Sequence, residues 1–135
     1  MMEFRIEPTS RQAIYRQLSE QIREAIATGR LAEDERLPSV RELSRTLVVN
    51  PNTIARVYTE LEREGVLNTR PGLGVFVARL RQELTKKARQ QRLIRHVDAL
   101  LTEAVHLGFA PEDVTGLVAE RMNRFRWERG EKRTD

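Results

Sequence analysis

The chain contains no cysteine, which excludes disulfide frameworks, thiolate zinc sites and a cysteine nucleophile. Aromatic residues make up only 5% of its 135 positions while charged residues reach 33%, a balance suited to a helical, well-solvated protein with one modest core and an extension. No segment approaches the length of a membrane span. The opening Met1-Met2-Glu3-Phe4-Arg5-Ile6-Glu7-Pro8 lacks the apolar run of a signal peptide. A cytoplasmic protein with no membrane partner is therefore expected. Internal repeats and low-complexity segments are absent, as are a Ser-His-Asp grouping and a phosphate-cradling loop. The two histidines, His96 and His106, fall on one predicted helix roughly 15 Å apart along its axis, too far to share a metal within a chain. No metal site, no cofactor and no enzymatic activity are expected.

The net charge of +4 is mild. Residues 1–79 carry 12 basic against 11 acidic side chains, and residues 80–135 carry 12 against 9. Such a surplus permits a polyanionic partner without requiring one.

Hydrophobic periodicity supplies the organisation. Thr9 and Ser10 are good helix N-caps, and Ile14, Leu18, Ile22, Ala25 and Ile26 then recur on one face until Gly29. Leu31 and Leu37 anchor a connection ending at Pro38. Ser39-Val40-Arg41-Glu42 matches a capping box and opens a short second helix on Val40, Leu43 and Leu47. Its stop is expected at Val49-Asn50-Pro51, because the residue before proline is pushed out of helical geometry. Pro51 then suits the first turn of a third helix, with Ile54, Val57, Tyr58 and Leu61 inward and Gly65 at its end. Val66–Thr69 and Val75–Val77 are β-prone runs separated by Arg70-Pro71-Gly72-Leu73-Gly74, which reads as a β-hairpin. Between Val75 and Val77, Phe76 is expected to point into the core.

Three helices with a tight corner between the second and third, then a hairpin, is the order of a winged helix-turn-helix. In that motif the second helix of the pair lies in the DNA major groove. With Ile54, Tyr58 and Leu61 inward, a rotation of about 100° per residue turns Asn52, Arg56, Thr59 and Arg63 outward. Asn pairs naturally with adenine, Arg with guanine, and Thr with several partners. Free backbone amides and the dipole at the helix start would attract a phosphate. Arg41 can reach a phosphate or base beside the same groove. Arg70 and Gly72, at the shoulder and tip of the hairpin, are the wing candidates.

Together these residues resemble the DNA-binding domain of the GntR family of bacterial transcription regulators. The matching text is GRLAEDERLPSVRELSRTLVVNPNTIARVYTELEREGVLNTRPGLGVFV, Gly29 to Val77. Its marks are Gly29 with Leu31, Leu37-Pro38-Ser39 with Arg41 and Leu43, Asn52-Thr53, Tyr58, Leu61-Glu62, Gly65, and Gly72-x-Gly74-x-Phe76-Val77. The resemblance implies that DNA is bound by Ser39 and Arg41, by Asn50, Asn52, Thr53 and Arg56, and by the wing near Arg70 and Gly72; the outward face adds Thr59. It also implies a dimeric regulator of the short YtrA subfamily, whose members often repress transporter operons, and it leaves no dedicated ligand pocket. A small-molecule effector would have to use the groove between the C-terminal helices.

From Leu80 the helical pattern returns, with Leu80, Leu84 and Ala88 running through basic Arg81, Lys86, Lys87, Arg89, Arg92 and Arg95. Leu93, Ile94, Val97, Leu100, Leu101, Ala104, Val105 and Leu107 then span an arc too wide for one neighbour. A following helix with Val114, Leu117, Val118, Met122 and Phe125 is expected to cover one side, and a second copy of the chain the other. The reading is thus a mainly α chain with a small β-hairpin. A winged helix-turn-helix domain spans 1–79 and a short helical dimerisation domain spans 80–135. Its expected function is sequence-specific repression of a transporter or stress operon through double-stranded DNA carrying a palindromic operator. The alternative is a winged-helix protein-interaction module without specific DNA binding, which the polar outward set on the third helix argues against.

Overall fold

A computed structural model describes residues 3–79 and 85–127. Its elements are α1 (Ile14–Ala27), α2 (Val40–Leu47), α3 (Pro51–Arg63), β1 (Leu67–Arg70), β2 (Gly74–Val77), α4 (Lys86–His106) and α5 (Pro111–Met122). This is the mainly helical fold with one antiparallel hairpin that the sequence pattern predicts. The described residues divide into two compact units, one of 3–79 with Arg126 and Trp127, the other of 85–125. Leu80, Leu84, Arg81 and the charged tail from Glu128 lie outside the described residues.

In the first unit, α1 opens at Ile14 behind Ala13 rather than at Thr9 or Ser10. The cause is Gln17, a buried polar side chain. Its Oε1 accepts from the Glu7 N–H at 2.9 Å, and its Nε2 donates to the Glu7 and Gln12 carbonyls at 3.0 and 2.8 Å. Those bonds keep residues 7–12 as a turn, where Ser10 Oγ accepts from the Gln12 N–H. Leu18, Ile22 and Ala25 face inward and meet Ile54, Val57 and Leu61 of α3, all buried in one core with Leu37 and Leu67. Full burial of each Leu or Ile contributes about 1.5–3 kcal/mol.

The stop of α2 differs from the expected one. Val48, one residue beyond the helix, takes the left-handed conformation at φ 55°, so the helix ends before Pro51 can act. The Ser44 hydroxyl donates to the Val49 carbonyl at 2.6 Å and holds the corner, while Val49 enters the core. Glycine at Gly65 (φ 81°) releases α3 into the hairpin.

β1 and β2 pair antiparallel from Leu67↔Val77 to Arg70↔Gly74. Pro71 and Gly72 (φ 78°) form the tip, and the Leu73 N–H donates back to the Arg70 carbonyl at 2.8 Å, the pattern of a type II turn. The sequence pattern does not reveal that residues 34–37 run beside β2, joined to it by an isolated bridge and flanking backbone bonds. The Asp34 N–H donates to Val77 O, the Val77 N–H to Glu35 O and the Leu37 N–H to Val75 O, around an Arg36↔Phe76 bridge. Val77 is fully buried, so the two-residue alternation of a strand places Phe76 on the opposite, outer face. The inward position expected for Phe76 is therefore corrected.

In the second unit Thr85 caps α4, its hydroxyl accepting from the Ala88 N–H. Pro111 starts α5, where the Asp113 carboxylate accepts from the Ala110 N–H at 2.9 Å. Phe125 falls beyond the end of α5. Ala104 is the one buried residue of α4, and α5 has none. The expected covering of one side of α4 by α5 is thus not found. Leu93, Ile94, Val97, Leu100, Leu101 and Val105 are between 42% and 73% exposed. Among the described residues no helix is long and apolar enough to cross a membrane.

Candidate nucleic-acid interface

The candidate interface is built on α2, α3 and the hairpin. Ser39 begins it: its Oγ accepts from the Glu42 N–H at 3.0 Å, and its own N–H donates to the Glu42 carboxylate at 2.8 Å. The Ser39 backbone N–H, and after it the Ser39 side chain, hold the Glu42 carboxyl below its ordinary pKa. The hydroxyl of Ser39 is thereby committed to the cap. Arg41, in the first turn of α2, is exposed and forms no ion pair among the described residues.

Tyr58 ties this cap to α3. Its hydroxyl donates to the Pro38 carbonyl at 2.7 Å, and burial pushes its pKa upward. The start of α2 and the body of α3 are therefore held by one bond across the core. At the head of α3, Asn50 Oδ1 accepts from the Asn52 N–H at 2.8 Å, and the Thr53 and Ile54 N–H groups both point to the Asn50 carbonyl. Pro51 has no N–H. The free amides expected at this helix start are accordingly already satisfied, and only the dipole remains to attract an anion.

Asn52, Arg56, Thr59 and Arg63 are all exposed, as the helical rotation requires, and Thr53 is half-buried. Arg56 is held in place. Its guanidinium lies 4.1 Å from the centroid of the Tyr15 ring and its Nε is 3.7 Å from Glu60. Tyr15, on α1, is a neighbour that no local pattern reveals.

Glu62 fixes the hairpin to α3, accepting from the Thr69 hydroxyl at 2.8 Å and its N–H at 3.3 Å. Gly72 stands at the tip with open space where a Cβ would lie. Arg70 does not extend freely from the shoulder. It crosses the Phe76 ring, 4.2 Å from its centroid, and donates to Asp34 at 2.7 Å. Arg79 donates to the other Asp34 oxygen at 3.1 Å. The Arg70 bond, then the Arg79 bond, lower the Asp34 pKa. Asp34, Arg79 and Tyr15 are absent from the site the sequence suggests. Asp34 sits inside an ordinary acidic run, Glu33-Asp34-Glu35, that carries no signal of distant partners. Among the described residues no group of three or more potential metal ligands assembles.

Comparison with known proteins matches this geometry. The model of the bacterial regulatory proteins of the gntR family covers residues 14–77. The HTH-type transcriptional repressor YtrA of Bacillus subtilis is 30% identical over 115 residues, which is 85% of this chain and 88% of the relative. A crystal structure described as a transcriptional antiterminator from Listeria monocytogenes has a TM-score of 0.78 at 29% identity, covering 95% of this chain and 96% of that one. The AraR DNA-binding domain in complex with operator ORX1 has a TM-score of 0.50 at 29% identity, covering 56% of this chain and 100% of that one. Its winged helix-turn-helix and the extent of its likeness to YtrA show that the chain belongs to the GntR family of bacterial transcription regulators and is YtrA-like, a DNA-binding protein and not an enzyme.

Proposed function

We propose that this protein represses transcription in the cytoplasm as a homodimer bound to a palindromic operator. On this reading residues 1–79 bind DNA, residues 80–135 join the two chains, and a transporter or stress operon is the target. The observation that carries it is the outward face of α3. There Asn52, Arg56, Thr59 and Arg63 are exposed, as is Arg41 at the start of α2, while Ile54, Val57, Tyr58 and Leu61 are buried. A polar helix face with its apolar residues turned away suits base edges in a major groove and suits an apolar docking partner poorly. Two such helices in a closed two-fold pair read a site with matching symmetry. The exposed apolar stripe of α4 supports a partner of the same kind, because α5 leaves it uncovered.

Selection of bound fragments from random duplex DNA supplies the operator for the test. Arg56→Ala should weaken operator binding by about 1–3 kcal/mol and relax base preference at one position of each half-site. Arg41→Ala should weaken binding at a base or phosphate. If both variants bind the selected DNA as the parent does, the docking surface lies elsewhere. A protein-docking module would instead bind mixed duplex DNA with no steep salt dependence.

A further inference from the structure

An acid from the α1–α2 connection stands against the wing, where a DNA-binding surface gains nothing from one. Asp34 presents its two carboxylate oxygens to two different guanidiniums, Oδ1 to Arg70 at 2.7 Å and Oδ2 to Arg79 at 3.1 Å. Arg36 lies along the neighbouring edge, packed so closely over Gly74 that a Cβ there would sit 2.9 Å from its Nε. Two arginines thus grip one carboxylate, in the arrangement that two oxygens of a phosphodiester would also satisfy. The backbone at Asp34 is pinned by its N–H bond to Val77 O and by the Leu37 and Val77 bonds that follow, so the carboxylate stays against the wing. Its φ of 68° is left-handed, a conformation that Asp and Asn adopt more readily than other side chains.

Resting on the DNA-binding reading, we propose that Asp34 is an internal stand-in for a backbone phosphate. It occupies Arg70 and Arg79 in the free protein, must surrender them on DNA, and so holds down affinity for duplex of any sequence. Both ion pairs are partly exposed, with side chains of Arg70 and Asp34 38% and 37% accessible, so water and salt already weaken them and exchange to a phosphate is easy. Arg79 is 76% exposed and the more readily released of the two. Because phosphate contacts carry no sequence information, the brake acts equally on operator and on other DNA.

Asp34→Asn tests this with little backbone disturbance, since Asn tolerates the same φ. Fluorescence anisotropy with the full chain and a labelled mixed-sequence duplex, across a salt series, should show affinity raised roughly five- to tenfold. The slope of log K against log salt should steepen by about 0.9, one more phosphate neutralised. The same substitution in an Arg70→Ala, Arg79→Ala background should give no gain, with thermal unfolding confirming that every variant is folded. Unchanged or weaker binding by Asp34→Asn in the parent background would overturn the proposal. So would a gain that persists without the two arginines, because it would then be a general charge effect. If the parent itself shows no salt-dependent duplex binding, the DNA-binding reading fails and takes this proposal with it. A parent that binds while Asp34→Asn changes nothing leaves that reading intact and rejects the brake alone.

Discussion

Val48 stands at the corner that delivers α3, with φ 55° and ψ 52° and its side chain 89% exposed. A left-handed conformation costs an L-residue roughly 1–2 kcal/mol, and a β-branched side chain suffers most. Nothing in the core repays that strain at Val48 itself, because its methyl groups face solvent. The conformation is imposed by its neighbours: Val49 is buried, its N–H donates to Ser44 O at 3.1 Å, and Ser44 Oγ donates to Val49 O. Val48→Gly should therefore remove the strain and lose no buried contact. Against this gain stands the greater freedom of glycine in the unfolded chain, about 0.5–1 kcal/mol. The net expectation is stabilisation by about 1 kcal/mol, which for a unit of this size raises Tm by roughly 4–8 °C. Val48→Ile keeps the branch and should unfold with the parent. Differential scanning calorimetry of the full chain reads all three. A glycine variant that melts at or below the parent would refute the strain, as would an isoleucine variant that gains as much as glycine.

Tyr58→Phe leaves the Pro38 carbonyl without its donor and should lower stability by about 1–3 kcal/mol, measured by urea unfolding; an unchanged midpoint would show that the bond does not brace the interface. Glu42 has a folded pKa below its ordinary value of 4.5, so its contribution to stability is present above that value and lost as pH falls through the lower one. Glu42→Gln keeps a capping-box side chain but cannot titrate, and its Tm should fall less steeply than the parent's below pH 4.5; parallel curves would reject the assignment. Leu101→Glu places a charge on the exposed stripe of α4 and should cost a dimer on the order of several kcal/mol. In sedimentation it should run as a folded monomer with weakened operator binding, whereas a variant that remains dimeric would place the contact between chains elsewhere.

Several features are written locally in the sequence. Ser39 and Glu42 are three residues apart, so the capping box closes within one turn and needs no distant help. The same holds for Asn50 with Asn52, for the release of α3 at Gly65 and for the Pro71-Gly72 tip. Period alone places Leu18, Ile22, Ile54 and Leu61 inward and leaves Asn52, Arg56, Thr59 and Arg63 outward, because one apolar face must leave water. Periodicity cannot say which distant group a side chain will meet. Arg70 and Asp34 are 36 residues apart, and Arg79 and Asp34 are 45 apart, so only the packed hairpin makes them a cluster. Gln17 delays α1 by reaching back ten residues to Glu7, a competition that helix propensity does not register. Phe76 illustrates the strand ambiguity: alternation fixes that it opposes Val77, but only the docking of Val77 into the core decides which of them faces out. On α4 the sequence determines that a wide apolar stripe exists. The fold decides that α5 does not cover it, because how two short helices pack depends on contacts that neither helix encodes alone.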